Sequence, residues 1–160
     1  MKISIKQYKN NDLSRITEIW NKIIDEAIYF PWNEHFSEGK TEYVLSKETV
    51  VFSAFVDDKL VGFYLLHSNF SGKCSHAANA MYAVEKEYRR KGIGTKLIQH
   101  SLDEAKKHGF HAMQFNSVVA TNPSAQIYSN LGFEKVGTIK DGFKLTEDNY
   151  ADLSIFYMVL

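Results

Sequence analysis

Residues 77–97 constrain this chain more than any other stretch. Ala77 to Val84 read as a strand, and an amphipathic helix runs from about Gly92 to His108 with Ile93, Leu97, Ile98, Leu102 and Ala105 on one stripe. Between them stand Arg89, Arg90, Lys91, Gly92 and Gly94. Gly109 stops the helix, and His111 to Val119 make the next strand, so the whole is a β-α-β unit with a cationic, glycine-bearing turn at its first corner. Glycines let backbone approach a ligand without a Cβ in the way. The first N–H groups of a helix have no intrahelical acceptor, and the helix dipole is positive there, so an anion is favoured. Three consecutive cations add formal charge at the same corner. A basic helix start on a solvated face is the bland alternative.

Two better-known phosphate loops are excluded by spacing. A P-loop needs Gly-x-x-x-x-Gly-Lys-Ser/Thr, which Gly92-Ile93-Gly94-Thr95-Lys96 does not supply. The dinucleotide fingerprint needs a third glycine where Leu97 stands.

The rest of the chain reads as one domain over residues 1–160, with no repeat, low-complexity tract or linker to divide it. Ile3 to Tyr8 alternate as a half-buried strand. Asn11 or Asp12 can cap a helix bearing Leu13, Ile16, Ile19, Trp20, Ile23, Ile24 and Ala27. Tyr29 to Phe36 form an aperiodic aromatic loop, and Thr41 to Leu45 a short helix. Val50 to Val56 and Leu60 to His67 make a hairpin around Asp57-Asp58-Lys59, and Asn69 to Lys73 a loop. Asn122 to Leu131 form a short helix ended by Gly132. Phe133 to Thr138 and Ser154 to Val159 are the last strands, with an irregular arm around Asp141–Asp152. An antiparallel hairpin region followed by a β-α-β unit predicts an α+β (mixed α/β) fold and not a doubly wound Rossmann sheet.

Charge bears on partners. Nineteen cationic and nineteen acidic residues balance to a net charge of zero. That argues against a nucleic-acid-binding face and gives no support for membrane-surface binding. With one cysteine, Cys74, no intrachain disulfide can form, and a reducing, cytoplasmic setting is expected. The N-terminus alternates like a strand and not like a signal peptide. Cys74 and His76 could share a strand face, but no third group would orient them, so an inert thiol is expected. The six histidines show no metal-ligand spacing, so no metal is expected.

The pattern Arg89-x-x-Gly92-x-Gly94 resembles the acyl-CoA-binding signature of the GNAT superfamily of N-acetyltransferases, Arg/Gln-x-x-Gly-x-Gly/Ala. A second stretch, Asn122-x-x-Ala125-x-x-Tyr128-x-x-x-Gly132-Phe133, is similar to the same family's other landmark. The resemblance is firm over residues 77–138. It implies a mostly antiparallel twisted sheet of about six to seven strands flanked by about four helices. It implies acetyl-CoA as donor, bound by Arg89, Arg90, Lys91, Gly92, Ile93, Gly94 and Thr95 at its pyrophosphate. It also implies main-chain pairing of the pantetheine arm with Tyr82, Ala83 and Val84, and contacts at Asn122, Ala125 and Tyr128. In the family the tyrosine protonates the departing thiolate, and a strand N–H receives the developing oxyanion. A homodimer is common in it.

The acceptor side is less legible. Many members carry a glutamate base on the strand before the loop, but here no carboxylate occurs until Glu85. His76 is the nearest titratable side chain and the candidate base, with His67 as runner-up and Glu85 or water as further routes. Asn79 and Asn116 sit mid-strand, where asparagine is disfavoured, and an amide both donates and accepts. They are candidate acceptor-binding groups, internal strand-edge bonding being the alternative. The strings around them are similar to fungal acetyltransferases acting on proline analogues such as azetidine-2-carboxylate, where asparagines bind the acceptor's carboxylate. Phe30 and Trp32 are expected to shape the acceptor pocket, together with the 141–152 arm. The function expected is acetyl transfer to a primary or secondary amine of a small molecule. The alternatives are a protein or peptide N-acetyltransferase and a non-catalytic acyl-CoA-binding module, for which Tyr128 would be superfluous.

Overall fold

The computed structural model describes residues 1–160. Its elements in chain order are β1 (Ile3–Gln7), α1 (Leu13–Glu26), α2 (Glu38–Leu45), β2 (Val50–Val56), β3 (Lys59–Ser68), β4 (Ala77–Val84), α3 (Ile93–Lys107), β5 (Ala112–Val119), α4 (Ser124–Asn130), β6 (Glu134–Thr146) and β7 (Asn149–Val159). The strands form one seven-stranded sheet in the order β1-β2-β3-β4-β5-β7-β6. Only β4 and β5 are parallel neighbours, joined by the α3 crossover.

Side chains alternate across the sheet, so each strand feeds two cores. Phe63 and Leu65 of β3 and Ala83 of β4 pack with Ile16, Ile19, Trp20, Ile23 and Ile24 of α1 on one face. Tyr64 and Leu66 of β3 and Ala78 of β4 pack with Leu97 and Ile98 of α3, Phe115 of β5 and Tyr128 of α4 on the other. Trp20 is fully buried, stacked 4.9 Å from Phe36 and 5.6 Å from Phe63. Replacing it by alanine would cost roughly 3–5 kcal/mol of stability. The α1 helix ends where Ala27 turns left-handed (φ 56°), and the α2 helix starts at Ser37, whose hydroxyl accepts from the Lys40 amide at 3.2 Å. Gly62 of β3 is forced by crowding. A Cβ there would lie 2.6 Å from the Ala83 carbonyl oxygen of β4.

The expected architecture, strand number and order of elements hold. The 141–152 arm is a correction. It belongs to a long β6–β7 hairpin of thirteen- and eleven-residue strands. Three register shifts interrupt that pairing, at Lys135/Gly137, Ile139/Phe143 and Lys144/Thr146. Each bulge throws the two-residue alternation out of phase, which hides the strands from a period search. The α4 helix is also shorter than the sequence pattern suggests. Asn122 precedes it and closes its start by accepting from the Ser124 amide at 2.9 Å.

The feature that positions a site is the failure of β4 and β5 to stay together. They pair only at Ala77↔Ala112 and Ala78↔Met113, and then diverge. Beyond Ala78 the sheet is split along one edge of β4.

Candidate active site

Parity decides which groups line the split. The bonds Asn69 N–H to Ala77 O (2.8 Å) and Glu85 N–H to Val61 O (2.8 Å) bracket the β3–β4 ladder. Antiparallel pairing alternates, so the main chains of residues 77, 79, 81, 83 and 85 face β3, and those of 80, 82 and 84 face the gap. Tyr82 and Val84 therefore present backbone groups to a guest there, whereas Ala83 spends its own on β3. The Val84 carbonyl is taken by Arg89 Nε at 2.9 Å.

The gap leads to the start of α3. Gly92 turns left-handed (φ 81°), which only glycine adopts without strain, and it opens the helix. The amides of Ile93, Gly94 and Thr95 have no backbone acceptor. Apart from the adjoining residues and the helix's own backbone, no heavy atom lies within 4 Å of where a Cβ would stand on Gly92 or Gly94. Bare donors under open space, at the positive end of a fifteen-residue helix, suit a pyrophosphate.

The three cations divide their work. The Arg89 guanidinium is engaged inward: Nη1 donates to Glu26 Oε2 at 2.7 Å, Nη2 donates to Glu26 Oε1 at 2.5 Å, and the group lies 5.4 Å from the Tyr29 ring centroid. The Glu26 hydrogen bond and charge together outweigh burial and raise the Arg89 pKa. Arg89 thus ties the loop to the end of α1 and leaves solvent-side charge to Arg90 and Lys91, which are exposed.

At the far end of the gap, Tyr128 of α4 is buried against Phe115 (4.5 Å between centroids), Phe156 (5.5 Å) and Phe133 (5.6 Å). Burial raises its pKa, opposed by a hydrogen bond with Ser124, so the phenol keeps its proton at neutral pH. Ala125, one turn earlier, presents only a methyl group.

The α1 face of the split carries a polar cluster. Asn79 donates to Asn69 Oδ1 at 3.2 Å, Asn116 Nδ2 donates to the same oxygen at 2.5 Å, and Asn69 Nδ2 donates to Asn116 Oδ1 at 3.2 Å. Gln114 Nε2 donates to Asn116 Oδ1 at 2.9 Å. Asn79 and Asn116 are thus brought together, half-buried, at the point where β4 leaves β5. Asn69, read from sequence as the start of a loop, is the hub that joins them. The β3–β4 register is the signal that would have found it, since Asn69 faces Ala77 two residues from Asn79. Beside them His67 faces Asn79 across the ladder and bonds Glu48 at 2.7 Å.

Three candidates sit elsewhere. His76 is exposed, bonds the Lys73 carbonyl at 3.0 Å and precedes the paired end of β4, so it is not brought to the cleft with Asn79. Phe30 is a core side chain, 8% exposed and 6.0 Å from Trp20, whereas Trp32, like Tyr29, is a half-buried ring of that loop. Glu85 is held by Arg15 and by Lys22 at 2.9 Å, with Lys59 at 4.0 Å. Burial pushes its carboxyl up, but the Lys22 hydrogen bond and the three cations outweigh that, and its pKa is lowered. A carboxylate so stabilised is a poor base.

A profile described as the acetyltransferase (GNAT) family matches residues 16–133. The chain is 36% identical over 99 residues to the N-acetyltransferase aca1 of Schizosaccharomyces pombe, a match covering 61% of this chain and 47% of that protein, about half its length. It is 30% identical over 135 residues to the [ribosomal protein bS18]-alanine N-acetyltransferase of Escherichia coli, covering 83% of this chain and 84% of the relative. Its fold is shared by a phosphinothricin acetyltransferase from Sinorhizobium meliloti in complex with AcCoA, at a TM-score of 0.92 and 20% identity over 100% of this chain and 89% of that one. The chain belongs to the GNAT family of N-acetyltransferases. A Salmonella typhimurium protein that shares the fold, at a TM-score of 0.90 and 19% identity, also holds its cofactor acetyl-CoA. No group of three or more metal-ligating side chains occurs, and no helix is long and apolar enough to cross a membrane.

Proposed function

We propose that this enzyme transfers the acetyl group of acetyl-CoA directly to a primary or secondary amine of a small molecule that also carries a carboxylate. The observation that carries this reading is the amide cluster Asn69–Asn79–Asn116 at the mouth of the split. It offers hydrogen bonds without charge, which suits a carboxylate presented close to the reacting amine. Bound acetyl-CoA supplies the activated acyl group. The free amides of Ile93, Gly94 and Thr95, with Arg90 and Lys91, hold its phosphates, and the gap-facing backbone of Tyr82 and Val84 aligns its arm. Tyr128, which stays protonated, donates its proton to the leaving sulfur. Holding both partners in one cleft replaces a bimolecular encounter by a fixed geometry.

A second reading is favoured by the Escherichia coli relative, which acetylates the alanine of a protein. In it the same cluster would face the first peptide group of a chain. A thiol-release assay across free amino acids, proline analogues, polyamines and short peptides separates the two. Turnover on free amino acids or proline analogues, lost on their methyl esters, supports the small-molecule reading. Turnover confined to peptides overturns it in favour of the second.

A further inference from the structure

Neither the cofactor loop nor Tyr128 explains how the acceptor loses its proton, and Glu85 is occupied by cations. His67 sits differently from every other histidine. It lies on β3 with its side chain on the α1 face, in phase with Phe63 and Leu65. Its cross-strand partner is Asn79, the first residue of β4 beyond the last β4–β5 pair. Opposed residues in a ladder have Cβ atoms about 5 Å apart. Asn69, the hub of the amide cluster, follows His67 by two residues. Asn79 and Asn69 are therefore immediate neighbours of this imidazole at the opening of the cleft.

The ring is held. Its Nδ1 lies 2.7 Å from Glu48 Oε2, on the turn between α2 and β2. An ionised carboxylate only accepts, so Nδ1 donates, and in the neutral imidazole the lone pair stands at Nε2. Nε2 has no partner within the protein, and the side chain is 37% exposed against 10% for Glu48. A half-open imidazole with an inward carboxylate and an outward lone pair is oriented to receive a proton. The groups around it are few: Glu48 from the α2–β2 turn, neutral Asn79 from β4, neutral Asn69 after β3, and Val50 and Val51 of β2 beside Leu66 and Leu65. Glu48 lies within salt-bridge distance of no lysine or arginine, and Lys47 beside it lies 5.1 Å over the Tyr43 ring.

We propose that His67, oriented by Glu48, is the base that deprotonates the acceptor, a role that rests on the acetyl-transfer reading above. The acceptor ammonium passes one proton to Nε2, across at most one water, and Glu48 stabilises the imidazolium. The freed nitrogen lone pair forms the C–N bond as the C–S bond breaks. The sulfur takes a proton from Tyr128, which regains one from the newly bonded nitrogen.

The test is the pH dependence of kcat/KM for the best acceptor, with acetyl-CoA affinity measured in parallel. His67→Gln is expected to lower kcat/KM about 100-fold near neutrality. It should leave acetyl-CoA affinity within twofold. Its rate should climb with pH up to the acceptor's own ionisation, because only amine already neutral in solution can react. Glu48→Gln, whose amide oxygen still accepts from Nδ1, should keep the fold and lose about tenfold through the missing charge. A variant with a lower melting temperature but the pH profile and rate of the unchanged protein would overturn the proposal and make the pair structural. If the unchanged protein transfers acetyl groups to no amine tested, the acetyl-transfer reading falls, and this proposal with it.

Discussion

The donor and acceptor halves proposed for the cleft are built from different materials. The donor half is mostly backbone: the gap-facing groups of Tyr82 and Val84 and the bare amides of Ile93, Gly94 and Thr95. The acceptor half is mostly side chain: Asn69, Asn79, Asn116, His67 and Glu48, drawn from β3, its following loop, β4, β5 and the α2–β2 turn. A backbone site recognises a constant ligand and tolerates wide side-chain variation around two glycines. A side-chain site can be retuned one residue at a time, which is how one scaffold comes to serve many acceptors.

Substitutions on either side of that division should separate cleanly. The largest effect is expected from Tyr128→Phe, which removes a proton donor and leaves the aromatic packing. Steady-state assay should show kcat reduced about 100-fold or more, with acetyl-CoA affinity by calorimetry nearly unchanged. A loss of affinity with normal kcat would move Tyr128 from chemistry to packing. Next, Glu26→Ala strands the Arg89 guanidinium beside Tyr29 and frees the loop from α1. Thermal unfolding should show a loss of about 2 kcal/mol, since the paired charges lie only 28% and 17% exposed. Acetyl-CoA affinity should fall with it, because the pyrophosphate loop is no longer anchored. Unchanged affinity would make the pair a staple without a role in binding.

A smaller effect belongs to the double change Arg90→Ala, Lys91→Ala. Both cations are solvent-facing, so acetyl-CoA binding should weaken about tenfold at low salt and less in 0.5 M salt, where the Debye length falls to about 4 Å from about 30 Å at 0.01 M. Salt-independent weakening would mean that the loop's shape, and not its charge, had changed. The smallest effect is on acid stability. Glu18 accepts hydrogen bonds from Arg15 and Lys22, which hold its carboxyl down at about 2 against an ordinary 4.5. Its folded value lies below its unfolded one, so its contribution is present above pH 4.5 and is lost as pH falls toward 2. Because Glu18 is half exposed, solvent screening keeps that contribution small. A Glu18→Gln variant should match the unchanged protein at pH 2 and be slightly less stable at pH 6, by thermal unfolding.

The same division explains what could be read from sequence. A backbone site needs particular residues at fixed local spacing, and Gly92, Gly94, Asn122, Ala125 and Tyr128 are visible as such. The acceptor cluster joins residues 48, 67, 69, 79 and 116, which meet only through the sheet. Asn79 and Asn116 stood out because asparagine is uncomfortable mid-strand. Asn69 did not, because in a loop it is ordinary, and Glu48 looked like any surface carboxylate. Arg89 shows the opposite error. It stands at the corner that the motif marks, yet its side chain turns to Glu26, a residue sixty-three positions away that no local pattern could indicate. Phe30 lies in an aromatic, proline-containing loop that looks like a pocket wall, whereas Trp20 draws that ring into the core.

The measurement that bears most directly on a donor site built from the split is amide hydrogen exchange, resolved by NMR, with and without acetyl-CoA. Protection should appear at Tyr82, Val84, Ile93, Gly94 and Thr95, whose amides lack strand or helix partners, and be small at Met81 and Ala83, which already pair with β3. Saturating acetyl-CoA that leaves the gap-facing and helix-start amides exchanging as before, while protecting others, would contradict a donor site in the gap between β4 and β5.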